Sequence, residues 1–508
     1  MRGRFQRINS ICHALGGLLQ VQALILLFPL IPVCWFWNQF GDGWRTVVAF
    51  VIPATLSFVL GFIFRTLFKS ERLDKTGALI MCALSWLAAA AIGAIPFVIG
   101  IEATYLDGYF EAMSGFTTTG ITVFDGLDTM PRSILFWRSL TQWLGGLGIL
   151  SFFLVATFWG AGAHHILVAE SHKVFSSRPT PGLTHTLTIF WTVYGLFTVA
   201  ATAAFYLAGM TVFDGVCHAF TALSTGGFSP YDASIAHYRL SGHANYRLIE
   251  YTVTFFMMLG GINFLVHYRV LIRDIKALWD HSEIRMWWGL LLGFTLIVMG
   301  EHLRKHGFFA ALCNTDGPIN LATVEQAFRT ALFQVISLMT TTGFGTEDIG
   351  SNYFGAASQQ LFLVMMVIGG CVGSTGGGFK VLRIVVLQRL IKGEIFRSCV
   401  SSQAVSGLVM DGRIIPAEEI DRVAGLFYAW MGFIALGGVV TAAFSQLGPL
   451  ASASGMFSAL GNIGPCYISV PDMIVIHPVI KVTYIVGMLA GRLEILPVLL
   501  LLSPRAWR

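Results

Sequence analysis

Charge is scarce in this chain. Of 508 residues only 12% are Asp, Glu, Lys or Arg, while 55% are hydrophobic. Soluble domains carry about 25% charge, so this is not a soluble domain. Several windows exceed the roughly 20 apolar residues that cross a bilayer, which predicts an all-α polytopic membrane protein. The eight cysteines form no C-x-x-C pair, and most sit in apolar spans, as Cys34 and Cys82 do. That excludes a disulfide or zinc framework. The thirteen histidines lack ligand spacing: His164–His165 reads as a solvated loop, and His267 and His477 stand alone. An intramembrane hydrolase or transferase needs clustered His, Asp or Cys at helix depth, and none is present. The basic start "MRGRFQRINS" runs into an apolar stretch without a small-residue cleavage pattern, so it reads as an uncleaved first helix.

Glycine, by contrast, is plentiful at 55 residues. It suits close helix packing and non-helical backbone. Hydropathy predicts membrane helices near 18–38, 46–68, 78–100, 134–160, 186–208, 246–271, 286–301, 358–391, 422–446 and 473–502. Basic residues fall in alternate loops: Arg65, Lys69, Arg72 and Lys75; Lys173 and Arg178; Arg269, Arg273 and Lys276; Arg389, Lys392 and Arg397; Arg505 and Arg508. Under the positive-inside rule this bias puts both termini in the cytoplasm.

Between the helix pairs lie segments too short and too polar to cross, and four of them align without gaps. They are "DGYFEAMSGFTTTGI" (107–121), "DGVCHAFTALSTGGF" (214–228), "TALFQVISLMTTTGF" (330–344) and "LASASGMFSALGNIGP" (450–465). Anchored on Gly120, Gly227, Gly343 and Gly464, each has a hydroxyl six residues earlier: Ser114, Thr221, Ser337 and Ser458. Each is followed in the next helix by a small-residue pair ending at Gly146, Gly261, Gly370 or Gly491. A unit of order 100 residues repeated four times is a strong signal. Its expected divisions are an N-terminal extension over 1–75, then units over 76–180, 181–285, 286–400 and 401–508.

Polar backbone at membrane depth cannot face lipid; it must line a cavity or be buried in protein. Four such segments around one axis make one cavity, with glycine letting carbonyls point inward. Carbonyl rings replace water around a cation, and the C-terminal end of a short helix favours one too. Asp125, Asp232 and Asp348 each lie five residues past the anchor and would make the mouth negative.

These residues resemble the Trk/Ktr/HKT superfamily of potassium transporters, and more closely its bacterial TrkH/TrkG branch. The likeness covers nearly the whole chain, with two extra helices at about 18–68. It implies four pseudo-fourfold helix–pore-loop–helix units in one chain, a homodimer, and a bacterial inner-membrane location. The implied potassium-binding set is Thr118, Thr119, Gly120, Ile121, Gly226, Gly227, Thr342, Gly343, Phe344, Asn462, Ile463 and Gly464. In plant relatives a serine at the first filter glycine goes with sodium transport; Gly120 here implies potassium. The implied partner is a cytosolic TrkA-type subunit whose RCK domains bind nucleotide. Potassium is the expected substrate; no organic cofactor and no nucleic acid is expected, and lipid surrounds the chain. The alternative is a sodium- or proton-coupled cation symporter of broader K/Na selectivity. A secondary transporter of another solute is disfavoured, because it would show two inverted halves.

A second motif, "GGCVGSTGGGFK" (369–380), holds too many glycines for a helix. It is not a phosphate-binding loop: the order is wrong and no strand precedes it. By resemblance it is an intramembrane gating loop, with Gly373, Ser374, Thr375, Gly376, Gly377 and Gly378 as its core. Arg492 is the third feature. A central arginine costs roughly 2.5–3.5 kcal/mol on insertion scales, so it should face the cavity or a partner, and the family places an arginine beneath the filter beside the gate. Lys380 and Arg383 read as snorkelling residues at the cytoplasmic surface.

Overall fold

The computed structural model describes residues 2–69, 74–148, 183–305, 321–399 and 408–507. The expected loop at His164–His165, the basic residues Arg72, Lys173, Arg178 and Arg508, and the stretch 149–160 of one expected span lie outside these.

The fold is all-α and polytopic. Two N-terminal elements come first: Arg2–Ile25 continued by Leu30–Trp35, and Trp44–Leu67. Gly16 and Gly61 face each other where these helices cross. A β-carbon on either would come within 2.8 Å or less of the other's carbonyl oxygen. Ser57 Oγ donates to the Leu19 carbonyl across the same contact (2.7 Å), so small residues let the backbones approach. Outward, Val48, Ile52, Leu56 and Phe62 are exposed, as lipid-facing side chains should be.

Each of the four units then follows one plan. A long apolar helix descends: Lys75–Gly93 with Ile95–Ile101, Leu183–Ala208, Ser282–Lys305 and Ala417–Phe444. A second helix follows, short in copies one, two and four and extended at its start in copy three: Tyr105–Phe116, Val212–Leu223, Leu321–Met339 and Pro449–Gly461, the four short helices. A return helix closes the unit, starting at Arg132–Trp143, Tyr246–Gly261, Ala356–Ile368 and Pro478–Arg492. Asp107 and Asp214 begin their short helices inside Thr-x-x-Asp caps, where Thr104 and Thr211 hydroxyls accept the aspartate N–H (3.2 and 3.1 Å).

Among the described residues six helices are long and apolar enough to span a membrane, or seven if the bent pair Tyr246–Gly261 and Phe264–Leu271 counts as one. The expected spans 246–271, 358–391 and 473–502 are all interrupted, the middle one at the glycine-dense stretch where a break was expected, the other two as corrections to continuous helices. The first bends by 105°. The second breaks between Ile368 and Val381, and the third between Arg492 and Leu496. Crowding is the physical reason. In copies one, two and four the small pair meets the carbonyl end of the short helix. A β-carbon on Gly145 would overlap the Phe116 carbonyl, one on Gly260 would lie 3.1 Å from the Ala222 carbonyl, and one on Gly491 would overlap the Leu460 carbonyl. In copy three, one on Gly369 would instead overlap the Gly377 carbonyl of its own loop.

The two chain ends meet on one face. Arg7 donates to the Ala506 carbonyl (2.6 Å) and pairs with Asp74 (2.7 Å). A hairpin of two-residue strands, Val409–Met410 with Arg413–Ile414, pairs antiparallel, and Asp411 at its turn accepts the Ser282 hydroxyl (2.6 Å).

Candidate functional site

All four short helices end in the same way. The N–H of Thr119, Gly226, Thr342 and Ile463 reaches back to the carbonyl of Ser114, Thr221, Ser337 and Ser458, at 2.8 to 3.1 Å. The N–H one residue earlier bonds the carbonyl of Gly115, Ala222, Leu338 and Ala459. This pair of bonds is the Schellman closure. It needs a left-handed residue, and Thr118, Thr225, Thr341 and Asn462 supply it with φ of 52°, 55°, 61° and 53°. For such residues the conformation costs on the order of 1–3 kcal/mol each, and it persists only where the surroundings impose it. Part of what imposes it is local: the hydroxyls of Thr117 and Thr119 pair at 2.7 Å, as do those of Thr340 and Thr342. Asn462 Nδ2 spans copies, donating to Thr119 Oγ1 and to the Met488 carbonyl, both at 2.9 Å.

Two residues on, the anchor glycines are again left-handed: Gly120 at 83°, Gly227 at 77°, Gly343 at 85° and Gly464 at 105°. In a plain strand successive carbonyls alternate sides. Left-handed residues two apart undo that alternation and turn neighbouring carbonyls toward one side. The missing β-carbons report the arrangement around the axis. One added to Gly120 would overlap the Gly226 carbonyl; to Gly227, the Thr342 carbonyl; to Gly343, the Ile463 carbonyl. One on Gly464 would approach the Thr119 carbonyl at 3.0 Å. The contacts run from copy one to two, three, four and back to one, which makes a closed ring. All four anchor glycines line one cavity of about 700 Å³. Asp232, Glu347 and Asp348 line it as well, with Arg138 and Arg239; Asp125 is exposed beside it. At Asp232, burial raises the carboxyl pKa above its ordinary value, the Leu127 N–H lowers it, and Asp128 and Asp125 raise it again.

Residues 369–380 pass beneath this ring. Thr375 Oγ1 donates to the Leu223 carbonyl (2.7 Å), at the end of the second short helix. Gly377 N–H donates to Thr341 Oγ1 (2.6 Å), and a β-carbon on Gly377 would lie 2.5 Å from the Gly461 carbonyl. Arg492 donates to the Thr375 carbonyl (2.8 Å) and to the carbonyls of Gly145 and Gly146. The loop is thus fastened to copies two, three and four, and through Arg492 to copy one. Gly373 and Gly378 need glycine, with φ of 75° and 77°. Ser374 is turned back to the Cys371 carbonyl (2.6 Å).

The model of the TrkH family, described as cation transport protein, matches residues 50–507. The chain belongs to the TrkH family. It is 34% identical over 454 residues to the Trk system potassium uptake protein TrkH of Escherichia coli K12, covering 87% of each chain. It is 31% identical to the protein of that name from Vibrio parahaemolyticus, covering 99% of this chain and 100% of the relative. The crystal structure of the potassium transporter TrkH from Vibrio parahaemolyticus superposes with a TM-score of 0.83 at 30% identity, over 99% of this chain and 100% of that one.

In this TrkH-family chain two expectations for basic residues are corrected. Arg383 is buried and pairs with Glu494 at 2.6 Å, while Lys380 is turned back onto the Gly376 carbonyl. Neither extends toward water, because the broken return helices leave carbonyls and one carboxylate in reach. Sequence reasoning also missed the layer behind the ring. Nine residues before the anchors stand Glu111, His218, Gln334 and Gly455. Glu111 is buried, pairs with Arg138 (2.8 Å) and accepts the Thr122 hydroxyl (2.9 Å). His218 meets Ser229 Oγ at 3.2 Å. Gln142 was missed too: its Nε2 donates to the Gly226 carbonyl (2.6 Å) and its Oε1 accepts the Phe228 N–H (3.0 Å). The alignment of the four copies held the only signal, a polar residue at a fixed offset in three of them.

Proposed function

We propose that this chain moves potassium across the bacterial inner membrane, through a selectivity filter built from Thr118–Ile121, Gly226–Gly227, Thr342–Phe344 and Asn462–Gly464. One observation carries the reading: four glycines with positive φ close a ring of carbonyls at the floor of one cavity. Such oxygens replace the hydration shell of a bare monovalent cation. Asp125, Asp232 and Asp348 at the mouth raise its local concentration.

Residues 373–378 act as the gate, lying across the pathway below the filter. Arg492 fixes the loop and adds a positive charge that repels an arriving cation. The name shared by the relatives, Trk system, supports a regulatory partner; we assign this role to a cytosolic TrkA-type subunit binding nucleotide through RCK domains. The active form is a homodimer with one pore per chain, and both termini lie in the cytoplasm with Lys276 and Arg389. The unit boundaries 76–180, 181–285, 286–400 and 401–508 each hold one quarter of the filter. Potassium is the substrate, and transport needs no organic cofactor in this chain.

The deciding experiment is rubidium and potassium uptake in cells stripped of their own potassium systems, repeated with the purified protein in liposomes. Uptake that saturates with potassium and is driven by membrane voltage alone supports the reading. Uptake that needs an imposed sodium or proton gradient moves the assignment to a coupled symporter. No potassium uptake overturns it.

A further inference from the structure

Copies one and two support the outer end of their filter segment from their own short helix. The residue nine before the anchor holds the hydroxyl two after it: Glu111 with Thr122 (2.9 Å), and His218 with Ser229 (3.2 Å). In copy four Gly455 leaves the place to the Tyr484 ring, whose hydroxyl sits where a β-carbon would be. Copy three breaks the rule. Its residue at minus nine is Gln334, 1% exposed, and its residue at plus two is Gly345, which has no hydroxyl.

Neither amide atom of Gln334 has a hydrogen-bond partner in the protein, and neither does Oγ1 of the buried Thr346. Both residues line the cavity at the mouth, together with Gly345. Buried amides and hydroxyls in folded proteins are paired, through protein or ordered water. Gly345 itself is tied sideways, to copy two: its N–H donates to Ser234 Oγ (3.2 Å) and its carbonyl accepts the Ala236 N–H (3.1 Å).

We propose that Gln334 is a specificity-determining positioning residue that binds an internal water where copies one and two carry a hydroxyl, and that the third filter segment is thereby the adjustable quarter of the ring. Water fits the site and a resident cation does not. The Arg239 guanidinium, ion-paired with Glu347 at 2.5 Å, donates to the Thr346 carbonyl (2.9 Å), so that carbonyl and that carboxylate are already taken and are not left to ligate a cation. A carboxamide and a hydroxyl offer both donors and acceptors, as a bridging water requires. Ser337 Oγ holds the Phe344 carbonyl directly (2.7 Å), so the water bridges only the end of the segment beyond Phe344. An end held through water yields more than one held directly, and a ring whose end yields discriminates less between ions of different radius. The inference rests on the filter assignment above.

Gly345→Ser tests it. A β-carbon there meets nothing closer than the Glu347 carbonyl at 3.6 Å, so the hydroxyl of copies one and two is supplied at no steric cost. The potassium-to-sodium uptake ratio should rise by about fivefold, the worth of one hydrogen bond. Gln334→Leu should lower the ratio, and in that background Gly345→Ser should change nothing. A density map reads the site without transport: one water within reach of Gln334 in the wild type, replaced by the serine hydroxyl in the variant. Unchanged ratios in folded, transporting variants overturn the inference, and so does a wild-type map without the water. A wild type that moves no potassium overturns the filter assignment, while the map still decides the water.

Discussion

The four filter segments and the four return helices have diverged to very different extents. The segments share one backbone path, down to the same two left-handed positions and the same closing bonds. Each return helix departs from a straight helix in its own manner: a wide turn at Leu144–Gly148, a 105° bend after Gly261, a twelve-residue passage at 369–380, and two left-handed residues at Glu494 and Ile495. On the function proposed above, a ring of carbonyls around an ion works only if its quarters agree, and a barrier below the ring needs one obstruction, supplied once. Joining four copies in one chain allows the first to stay uniform while the second becomes one-sided.

The contrast predicts where the molecule is brittle. The largest effect belongs to the ring. Gly120→Ala, Gly227→Ala or Gly343→Ala each forces a β-carbon into a carbonyl, at roughly 1–3 kcal/mol of overpacking before the strain of the positive φ is added. Potassium uptake should fall on the order of ten- to hundredfold, or the preference over sodium should vanish. Gly464→Ala, with 3.0 Å to its nearest carbonyl, should be the mildest of the four. Equal losses in all four would break the account of the ring as unevenly closed.

Shortening the loop by removing residues 374–377 should act in the opposite direction and raise flux into liposomes severalfold, with less dependence on a cytosolic partner. Arg492→Gln should raise flux less, since the backbone still crosses the pathway. Unchanged flux in a folded loop deletion would make this passage packing and leave the return helices without a role in control. Sidedness is a further check: Ser241→Cys, at an exposed site beyond the second segment, should react with an impermeant thiol reagent added outside, and Lys276→Cys only after permeabilisation. The smallest effect belongs to the mouth. Asp348→Asn should lower uptake by less than about twofold at low ionic strength, and the difference should fade in salt as surface fields are screened.

The ring was legible in the sequence because its chemistry is local. Positive φ calls for glycine, helix closure sets the spacing back to Ser114, Thr221, Ser337 and Ser458, and both recur in register. The breaks in the return helices were legible only at 369–380, where glycine is dense. Elsewhere they arise from collision with another segment's carbonyls, which no hydropathy window contains. Arg383 was misread for a related reason: its partner, Glu494, lies in another copy, and a lone arginine near a helix end looks like one reaching for water. The layer of Glu111, His218 and Gln334 was visible in the alignment but has three different side chains and, in copy four, a glycine, so it carried no motif.

The loose join of the ring has a bearing on how the protein is made. Asn462 bonds Thr119 across 343 residues of chain, and Gly464 meets the Thr119 carbonyl at the same place. During synthesis the first three quarters emerge before the fourth, and their carbonyls wait at membrane depth for it. A nascent chain halted before residue 464 therefore holds an open arc with one unfinished polar edge. A chain cut off before residue 464 should be shorter-lived than one that carries all four quarters, which a pulse-chase of the two in cells would measure.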